Sequence, residues 1–255
     1  MKLKGKTALI TGASSGIGWA IAEQLAQQGA RLILTARRVE RLESLAVSLK
    51  NKYQSVVHLI ALDVQDQAAV SKAIGSLPEA WKAIDILVNN AGLALASKPF
   101  HDCSLEQWNT MIDTNVKGLL FVTHAVVQRM IERNAGHIVN IGSIAGRESY
   151  PGGNVYCASK QAVKAISQSL RLDLSGYLIR VTEIAPGAVN TEFSTVRWND
   201  KERADTFYKD FQPLDANDVA ETVLFCITRP PHVNISEMVV FPTDQACATM
   251  INRKP

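Results

Sequence analysis

Short apolar segments alternate with longer segments of helical periodicity along almost the whole chain, and this alternation restricts the possible folds more than any other feature. The short segments are rich in Val, Ile and Leu, whereas the longer ones carry apolar residues at three- and four-residue spacing. Strands that are apolar throughout are buried on both faces, which is typical of a parallel sheet covered by helices. We predict strands at residues 7–11, 31–36, 56–62, 84–89, 137–142, 180–184 and 238–241, and helices at 17–28, 40–50, 67–76, 105–133, 155–175 and 216–228.

The whole chain is predicted to form one α/β domain. Its 255 residues contain neither an internal repeat nor a low-complexity linker that would divide them. Seven strands in alternation with helices predict a doubly wound, seven-stranded parallel sheet with helices on both faces. Residues 1–255 are therefore expected to be a single domain.

Charge and composition argue against several classes of function. The net charge of +3 is too small to indicate a nucleic acid or an anionic membrane surface as a partner. No apolar stretch approaches the length of a membrane span, and the first residues lack the apolar core of a signal peptide. The four cysteines and five histidines are scattered, which argues against a metal site or a disulfide framework and favours the reducing cytoplasm.

A glycine-rich turn follows the first predicted strand and has the character of a dinucleotide-binding loop. Gly12, Gly16 and Gly18 would provide the tight turn and the close backbone approach that a pyrophosphate needs at a helix N-terminus. Ser14 and Ser15 add hydroxyl donors to the same turn. Taken alone, the turn is also compatible with an ordinary connection between a strand and a helix.

Two arginines at the end of the second strand predict which dinucleotide binds. A site for NAD has an acidic residue here that accepts from the adenosine 2′-hydroxyl, whereas arginine accommodates the 2′-phosphate of NADP. Arg37 and Arg38 therefore favour NADP. The alternative is a solvated charged surface, which Arg41 and Glu43 would continue.

Polar residues also follow the third and fourth strands, at the edge where parallel sheets bind ligands. Asp63 follows the third strand, and Asn89, Asn90, Ala91 and Gly92 follow the fourth. The second group is also compatible with a structural turn, because Asn and Gly tolerate left-handed backbone geometry. Their position at the strand ends favours contact with the cofactor.

A tyrosine and a lysine four residues apart, with a serine upstream, form a candidate acid/base group. On a helix, residues i and i+4 share one face, so Tyr156 and Lys160 can point into the same space. Because an ammonium group favours the phenolate, we expect the pKa of Tyr156 to be lowered towards the range useful for proton transfer. Ser143 would hold the oxygen of a carbonyl or an alcohol beside them. The alternatives are a surface helix pair and a serine at a strand end.

Taken together, these motifs resemble the short-chain dehydrogenases/reductases, over essentially the whole chain and in the same order. The resemblance rests on residues 12–18, 89–92, Asn115, Ser143, Tyr156 with Lys160, and Pro186-Gly187. A narrower similarity, to NADP-dependent 3-hydroxy acid dehydrogenases such as serine 3-dehydrogenases and allo-threonine dehydrogenases, rests on residues 36–42, 84–95, 111–118, 150–156 and 191–197. The resemblance implies a Rossmann-type fold, hydride transfer with NADP as the cofactor, and a homotetramer.

The resemblance also assigns roles to individual residues. Asn115 would support a water chain that carries the proton out, and Lys160 would both lower the pKa of Tyr156 and contact the nicotinamide ribose. The cofactor half would span about 1–150, and the catalytic helix with the substrate lid about 151–215. The cofactor residues implied in this way are Gly12, Ser14, Ser15, Gly16, Ile17, Gly18, Arg37, Arg38, Asp63, Asn89, Asn90, Ala91, Gly92, Tyr156, Lys160, Pro186, Gly187, Val189 and Thr191.

Residues 192–212, which we call the lid segment, are polar with interspersed aromatic side chains and are typical of a mobile cover over a substrate. An amphipathic surface helix is the alternative. A carboxylate substrate needs a positive partner, which Arg147 or Arg197 would supply while Ser143 holds the reacting oxygen.

Three functions are compatible with these residues. The leading one is an NADP-dependent dehydrogenase of small 3-hydroxy acids. A carbonyl reductase of larger ketones, aldehydes or 3-oxoacyl groups would differ in the pocket and the lid segment only. A non-catalytic NADP(H) sensor would keep the fold, but such proteins generally lack the tyrosine or the lysine, and both are present.

Overall fold

The seven predicted strands are all present and form one parallel sheet. The structure is a computed structural model that describes residues 1–254. The strands are β1 (Thr7–Thr11), β2 (Arg31–Ala36), β3 (Val57–Ala61), β4 (Ile86–Asn89), β5 (Gly136–Ile141), β6 (Ile179–Pro186) and β7 (Glu237–Val240). Neighbours pair in parallel in the order β3-β2-β1-β4-β5-β6-β7. Because the strand order reverses between β1 and β4, the carboxyl ends of these strands open a crevice.

Helices connect the strands and cover both faces of the sheet. The predicted helix at 105–133 is interrupted by a π-helical turn at Asp113–Gly118, and the lid segment folds into two short helices. The helices are α1 (Gly16–Gln27), α2 (Val39–Tyr53), α3 (Gln67–Gly75), α4 (Leu105–Ile112), α5 (Leu119–Glu132), α6 (Asn154–Asp173), α7 (Glu192–Trp198), α8 (Lys201–Phe207) and α9 (Ala216–Ile227).

Alternate residues of the strands face two apolar cores, one on each side of the sheet. In β1, Ala8 and Ile10 pack into a core with α1, α2 and α9, whereas Leu9 packs into a core with α3 and α5. Leu9 and Ile10 are fully buried, and the burial of one such side chain stabilises the fold by about 1.5–3 kcal/mol. A shift of one residue would exchange the two faces, so this packing fixes where the glycine turn after β1 lies.

Neither a membrane-spanning helix nor a metal-binding cluster of His, Cys, Asp or Glu is found in residues 1–254. The four cysteines are free thiols. Burial raises the pKa of the Cys226 thiol to about 11, so this residue is an unreactive part of the core.

Candidate active site

A cleft of about 540 Å³ opens at the carboxyl ends of the strands. Ser143, Tyr156 and Lys160 line it, and the lid segment contributes Phe193 and Arg197. Most of the predicted catalytic and cofactor residues thus line one cavity, whereas Gly18, Asn89 and Asn115 do not. The predicted cofactor residues that also line it are Gly12, Ser14, Ser15, Gly16, Ile17, Arg37, Arg38, Asp63, Asn90, Ala91, Gly92, Pro186, Gly187, Val189 and Thr191.

The turn between β1 and α1 requires glycine and leaves a helix N-terminus available. Gly12 and Gly16 have φ angles of 66° and 53°, in the left-handed region that glycine adopts without strain. A Cβ atom on Gly12 would lie 2.9 Å from Ala91 Cα, and one on Gly18, which packs behind the turn, 2.5 Å from the Gly12 carbonyl oxygen. Ser15 makes no side-chain capping bond to α1 within residues 1–254. The first N–H groups of α1 can therefore bind an anion, which fits the pyrophosphate of a dinucleotide.

The residues after β4 hold this glycine turn in place. Asn90 Nδ2 donates to the carbonyl oxygens of Thr11 and Gly12 at 2.9 and 3.2 Å. Thr11 Oγ1 accepts from the backbone N–H groups of Asn90 and Ala91, each at 3.0 Å. The two walls of the cleft are therefore bonded to each other before any ligand is present.

Asn89, predicted to contact the cofactor, does not line the cleft and is hydrogen-bonded in the interior instead. Its Nδ2 donates to Thr123 Oγ1 at 2.8 Å and to Asn140 Oδ1 at 2.9 Å, and Asn140 Nδ2 donates to Ser167 Oγ at 2.9 Å. Successive strand residues point to opposite faces, so Asn90 reaches the cleft whereas Asn89 enters the interior. Asn89 ties β4 and β5 to the helices behind them.

The arginines after β2 form a basic site around the hydroxyl groups of the glycine turn. Arg38 donates from Nε and Nη2 to Ser14 Oγ at 3.2 and 3.1 Å, and from Nη2 to Ser15 Oγ at 2.7 Å. Arg37 forms an ion pair with Asp63 at 3.7 Å. Both arginines thus line the cleft, and Arg38 is bonded to the turn where the adenosine end of a dinucleotide is expected.

Two residues of this basic site were not predicted from the sequence. Arg41 Nη1 lies 2.6 Å from Glu192 Oε1, and Arg38 Nη1 lies 3.1 Å from Glu192 Oε2. Arg41, and to a lesser extent Arg38, hold the pKa of the Glu192 carboxyl below its usual value. The spacing of three residues between Arg38 and Arg41 was a signal in the sequence for a shared helix face. Glu192 lies too far along the chain for any such signal.

Tyr156 and Lys160 lie at the start of α6, with their side chains buried in the cleft wall. Tyr156 is 8% exposed, and burial raises its pKa, although the Ser143 hydroxyl and the charge of Arg197 act in the opposite direction. Burial lowers the pKa of Lys160 to about 8. Lys160 Nζ donates to the Ile141 carbonyl oxygen at 2.8 Å and lies 6.0 Å from the Tyr156 ring centroid. The predicted lowering of the Tyr156 pKa is therefore wrong for the cofactor-free protein, because desolvation outweighs the nearby charges.

Asn115 lies in the π-helical turn, and its side-chain amide is hydrogen-bonded to Leu93 and Ser159. Its Nδ2 donates to the Leu93 carbonyl oxygen at 2.8 Å and to Ser159 Oγ at 3.0 Å, and its Oδ1 accepts from the Leu93 N–H at 2.8 Å. A Cβ atom on Gly92 would lie 3.2 Å from Asn115 Oδ1 and 3.6 Å from Lys160 Nζ. Asn115 thus lies behind the cleft wall, next to Lys160, and π-helical turns of this kind are frequent at functional sites.

Arg197, at the end of α7, lies over the rings of the catalytic end of the cleft. Its guanidinium carbon is 5.5 Å from the Tyr150 ring centroid and 5.8 Å from the Tyr156 ring centroid. Nη2 donates weakly to Ser97 Oγ at 3.4 Å, while Nε is buried and has no hydrogen-bond partner among residues 1–254. A buried, unpaired guanidinium N–H beside a cavity is a ready donor to an anionic ligand.

Arg147, the other predicted substrate contact, is paired with two glutamates outside the cleft. Its Nη1 and Nη2 donate to the two carboxylate oxygens of Glu183, each at 3.0 Å, and Nη2 also donates to Glu237 at 3.0 Å. Arg147 does not line the cleft. Its function is to neutralise Glu183, which is completely buried in β6.

Comparisons with known proteins agree with this architecture. Residues 6–202 match the family model described as short chain dehydrogenase. A protein named sulfoacetaldehyde reductase 2, from Chromohalobacter salexigens, is 51% identical over 240 residues, which cover 93% of this chain and 94% of the relative. The NADP-dependent 3-hydroxy acid dehydrogenase YdfG of Escherichia coli is 48% identical over 242 residues, covering 94% of this chain and 96% of the relative.

A solved structure shows the same fold. The closed form of serine dehydrogenase complexed with NADP+ superposes with a TM-score of 0.90 at 47% identity, covering 95% of this chain and 97% of that one. The family model covers most of the chain, and the relatives and the solved structure match it over more than nine tenths of its length. The chain therefore belongs to the short-chain dehydrogenase family.

Proposed function

We propose that this chain is an NADP-dependent oxidoreductase that interconverts a small 3-hydroxy acid, such as serine or allo-threonine, with its 3-oxo form. The observation that carries the proposal is the unpaired Nε of Arg197, which is buried over Tyr156 at the catalytic end of the cleft. One short molecule can then place its carboxylate at Arg197 and its 3-hydroxyl between Tyr156 and Ser143. Large substrates have less room, because the lid segment already packs Phe193 against Tyr156 with ring centroids 5.8 Å apart.

The choice of NADP rests on the basic site after β2. Arg38 binds the hydroxyl groups of Ser14 and Ser15, and Arg37 and Arg41 lie close to it in the chain, paired with Asp63 and Glu192. Arginine accommodates a 2′-phosphate, whereas an NAD site has a carboxylate at this strand end. The E. coli relative is named as NADP-dependent, and the serine dehydrogenase structure contains NADP+. Both agree with this assignment.

The catalytic residues would handle the proton, while the cofactor supplies the hydride acceptor or donor at C3 of the substrate. Tyr156 takes the proton from the 3-hydroxyl in the oxidative direction and returns it to the carbonyl oxygen in the reductive direction. Ser143 holds the reacting oxygen next to the phenol. Lys160, with its ammonium bonded to the Ile141 carbonyl oxygen, supplies a positive charge on the same helix face as Tyr156 and would contact the cofactor ribose. Asn115 holds this wall of the cleft in shape through Leu93.

The raised pKa of Tyr156 bears on how the rates of the two directions depend on pH. The phenol donates its proton to the carbonyl oxygen in the reductive step, whereas oxidation requires the phenolate, whose fraction rises with pH. The rate of oxidation should therefore rise with pH, and the rate of reduction should fall as the phenol is lost.

A second candidate function is the reduction of a short aldehyde that carries a sulfonate. The relative from Chromohalobacter salexigens is named sulfoacetaldehyde reductase 2. A guanidinium group binds a sulfonate through the same N–H donors that bind a carboxylate, and the protonated Tyr156 suits reduction. Both candidates use one anion contact and one acid/base group, so they differ in substrate and not in mechanism.

Absorbance of NADPH tests both candidates in one experiment. Purified protein would be assayed with serine, allo-threonine and 3-hydroxybutyrate plus NADP, and with sulfoacetaldehyde plus NADPH. Arg197→Gln should raise the KM for the anionic substrates by roughly 10- to 100-fold, the value of a hydrogen-bonded charge. Arg203→Gln is the matched control, because Arg203 stacks over Trp198 at 5.1 Å on the same lid segment without lining the cleft.

The outcomes separate the remaining alternatives. Turnover of uncharged bulky ketones only, with Arg197→Gln equal to wild type, would make the protein a general carbonyl reductase. Tight NADPH binding without turnover of any carbonyl compound would make it a sensor.

We also propose that the protein is a homotetramer. Leu105, Leu120 and Leu172 expose 70%, 42% and 75% of their surface on α4, α5 and α6, and exposed apolar side chains of this size are available to an interface between these helices and those of a second copy. Light scattering should then give four times the chain mass of 27.8 kDa. A monomeric mass would contradict the proposal.

A further inference from the structure

An acidic residue of the lid segment, Glu192, is paired with two arginines of the basic site. Glu192 Oε1 and Oε2 lie 2.6 and 2.8 Å from Arg41 Nη1, and Oε2 lies 3.1 Å from Arg38 Nη1. Arg38 is at the same time bonded to Ser14 and Ser15 of the glycine turn. The Glu192 carboxylate is thus the anion that these two arginines bind in the cofactor-free protein.

A 2′-phosphate and Glu192 cannot share these guanidinium groups without repulsion. A phosphate monoester carries between one and two negative charges at neutral pH and offers three acceptor oxygens, so it competes well for arginine. The side chains of Arg38 and Glu192 are 43% and 49% exposed, and that of Arg41 is 45% exposed. Ion pairs as exposed as these are weak and exchange readily.

Glu192 is also the first residue of the helix that carries the substrate contact. Its neighbour Thr191 caps α7 and remains next to the glycine turn, where a Cβ atom on Gly16 would lie 3.3 Å from Thr191 Cβ. Arg197 and Trp198 end the same helix. A change in what holds Glu192 therefore acts directly on the element that positions Arg197 over Tyr156.

We propose that Glu192 is a specificity-determining latch that couples the lid segment to the 2′-phosphate of the cofactor. In the cofactor-free protein Glu192 ties α7 to Arg38 and Arg41. The 2′-phosphate displaces it and frees α7 to move, whereas NAD leaves the latch in place. This inference rests on the proposed function, since it takes the arginines as the NADP site and Arg197 as the substrate contact.

The test uses Trp198 as a reporter and a nucleotide that isolates the 2′-phosphate. Adenosine 2′,5′-bisphosphate would be titrated into the full-length protein while Trp fluorescence is followed, with adenosine 5′-monophosphate as the probe without the 2′-phosphate. The bisphosphate should change the Trp emission of the wild type, the monophosphate should not, and Trp198→Phe should abolish the change.

Glu192→Gln should bind the bisphosphate roughly three- to tenfold more tightly, since two exposed ion pairs no longer compete with it. Its affinity for the monophosphate should equal that of the wild type, and its emission before titration should already resemble the phosphate-bound state. Glu40→Gln is the matched control. Glu40 lies in the first turn of α2, close to Arg41 in the chain, and forms no ion pair with other described residues.

Two results would overturn the latch. One is equal affinity of wild type and Glu192→Gln for the bisphosphate, and the other is tighter binding with no change at Trp198. Arg38→Gln separates this failure from failure of the proposed cofactor site. If Arg38→Gln binds the bisphosphate as well as the wild type does, both the arginine site and the latch are wrong. If it binds weakly while Glu192→Gln behaves as wild type, only the latch is wrong.

Discussion

Replacing Arg147 by methionine is expected to destabilise the fold and to leave substrate binding unchanged. The Glu183 side chain is 0% exposed, and both of its oxygens accept from Arg147 at 3.0 Å. Arg147→Met leaves this carboxylate buried without its partner. Leaving one member of a buried ion pair uncompensated costs about 3–5 kcal/mol of unfolding free energy. Glu237, which also binds Arg147, is partly exposed and contributes less.

Urea unfolding followed by far-UV circular dichroism, at one fixed protein concentration, measures this loss. Arg171→Met is the control, because its pair with Glu237 is long at 3.7 Å and should contribute less than about 1 kcal/mol. Adding Glu183→Leu to Arg147→Met should recover most of the stability, since the buried charge is then removed. A loss below about 1 kcal/mol in Arg147→Met would refute the argument from buried charge. An increased KM for the hydroxy acid at normal stability would return Arg147 to the substrate site.

The buried His137, the glycine turn and the Tyr156 phenol can each be tested by one further measurement. Burial lowers the pKa of His137 to about 3. Between about pH 3 and about 6.5 the unfolded chain therefore binds a proton at this histidine that the folded protein does not bind. The unfolding free energy should accordingly fall by about 1.4 kcal/mol for each pH unit as the pH drops from about 6.5 towards about 3. Urea unfolding of the wild type and of His137→Asn across this pH range checks this prediction. If the unfolding free energies of the two proteins depend on pH in the same way, the prediction is contradicted. Gly12→Ala should abolish dinucleotide binding in calorimetry, because Gly12 has φ at 66° and the new Cβ atom would lie 2.9 Å from Ala91. Gly176→Ala is the control and should bind normally, because its Cβ atom would meet no described atom within 4 Å. The kcat for serine oxidation should rise with pH, because oxidation uses the Tyr156 phenolate and burial raises the pKa of this phenol, and a kcat for oxidation that is independent of pH would argue against the phenol as the acid/base.

The sequence predicts the sheet well because the central strands β1, β2 and β4 are buried on both faces. Their high content of Val, Ile and Leu distinguishes them from the amphipathic helices without any tertiary information. The π-helical turn at Asp113–Gly118 could not be predicted in this way. There, Asn115 bonds to Leu93, which is distant in the chain, and the helix pattern on either side is continuous.

The parts of the candidate site that lie close together in the sequence could be predicted. Contacts between charged residues that are far apart in the sequence could not. Tyr156 and Lys160 share a helix, so their convergence follows from helix geometry alone. Arg147 and Arg197 look alike in the sequence, but only the fold brings Glu183 against the first and leaves Nε of the second unpaired. The direction of the Tyr156 pKa shift was missed for a related reason, because desolvation depends on how much of the fold covers the ring.

The rate of NADPH formation from serine in Tyr156→Phe tests the central claim most directly. The variant keeps the ring and its packing but removes the hydroxyl that exchanges the proton. Tyr177→Phe, at an exposed tyrosine beyond the end of α6, is the matched control. If Tyr156 is the acid/base, the kcat of Tyr156→Phe should fall at least about 100-fold, as expected for a positioned acid/base. Its affinity for NADP and the rate of Tyr177→Phe should not change. A Tyr156→Phe variant that turns over serine at the wild-type rate would contradict this role of Tyr156.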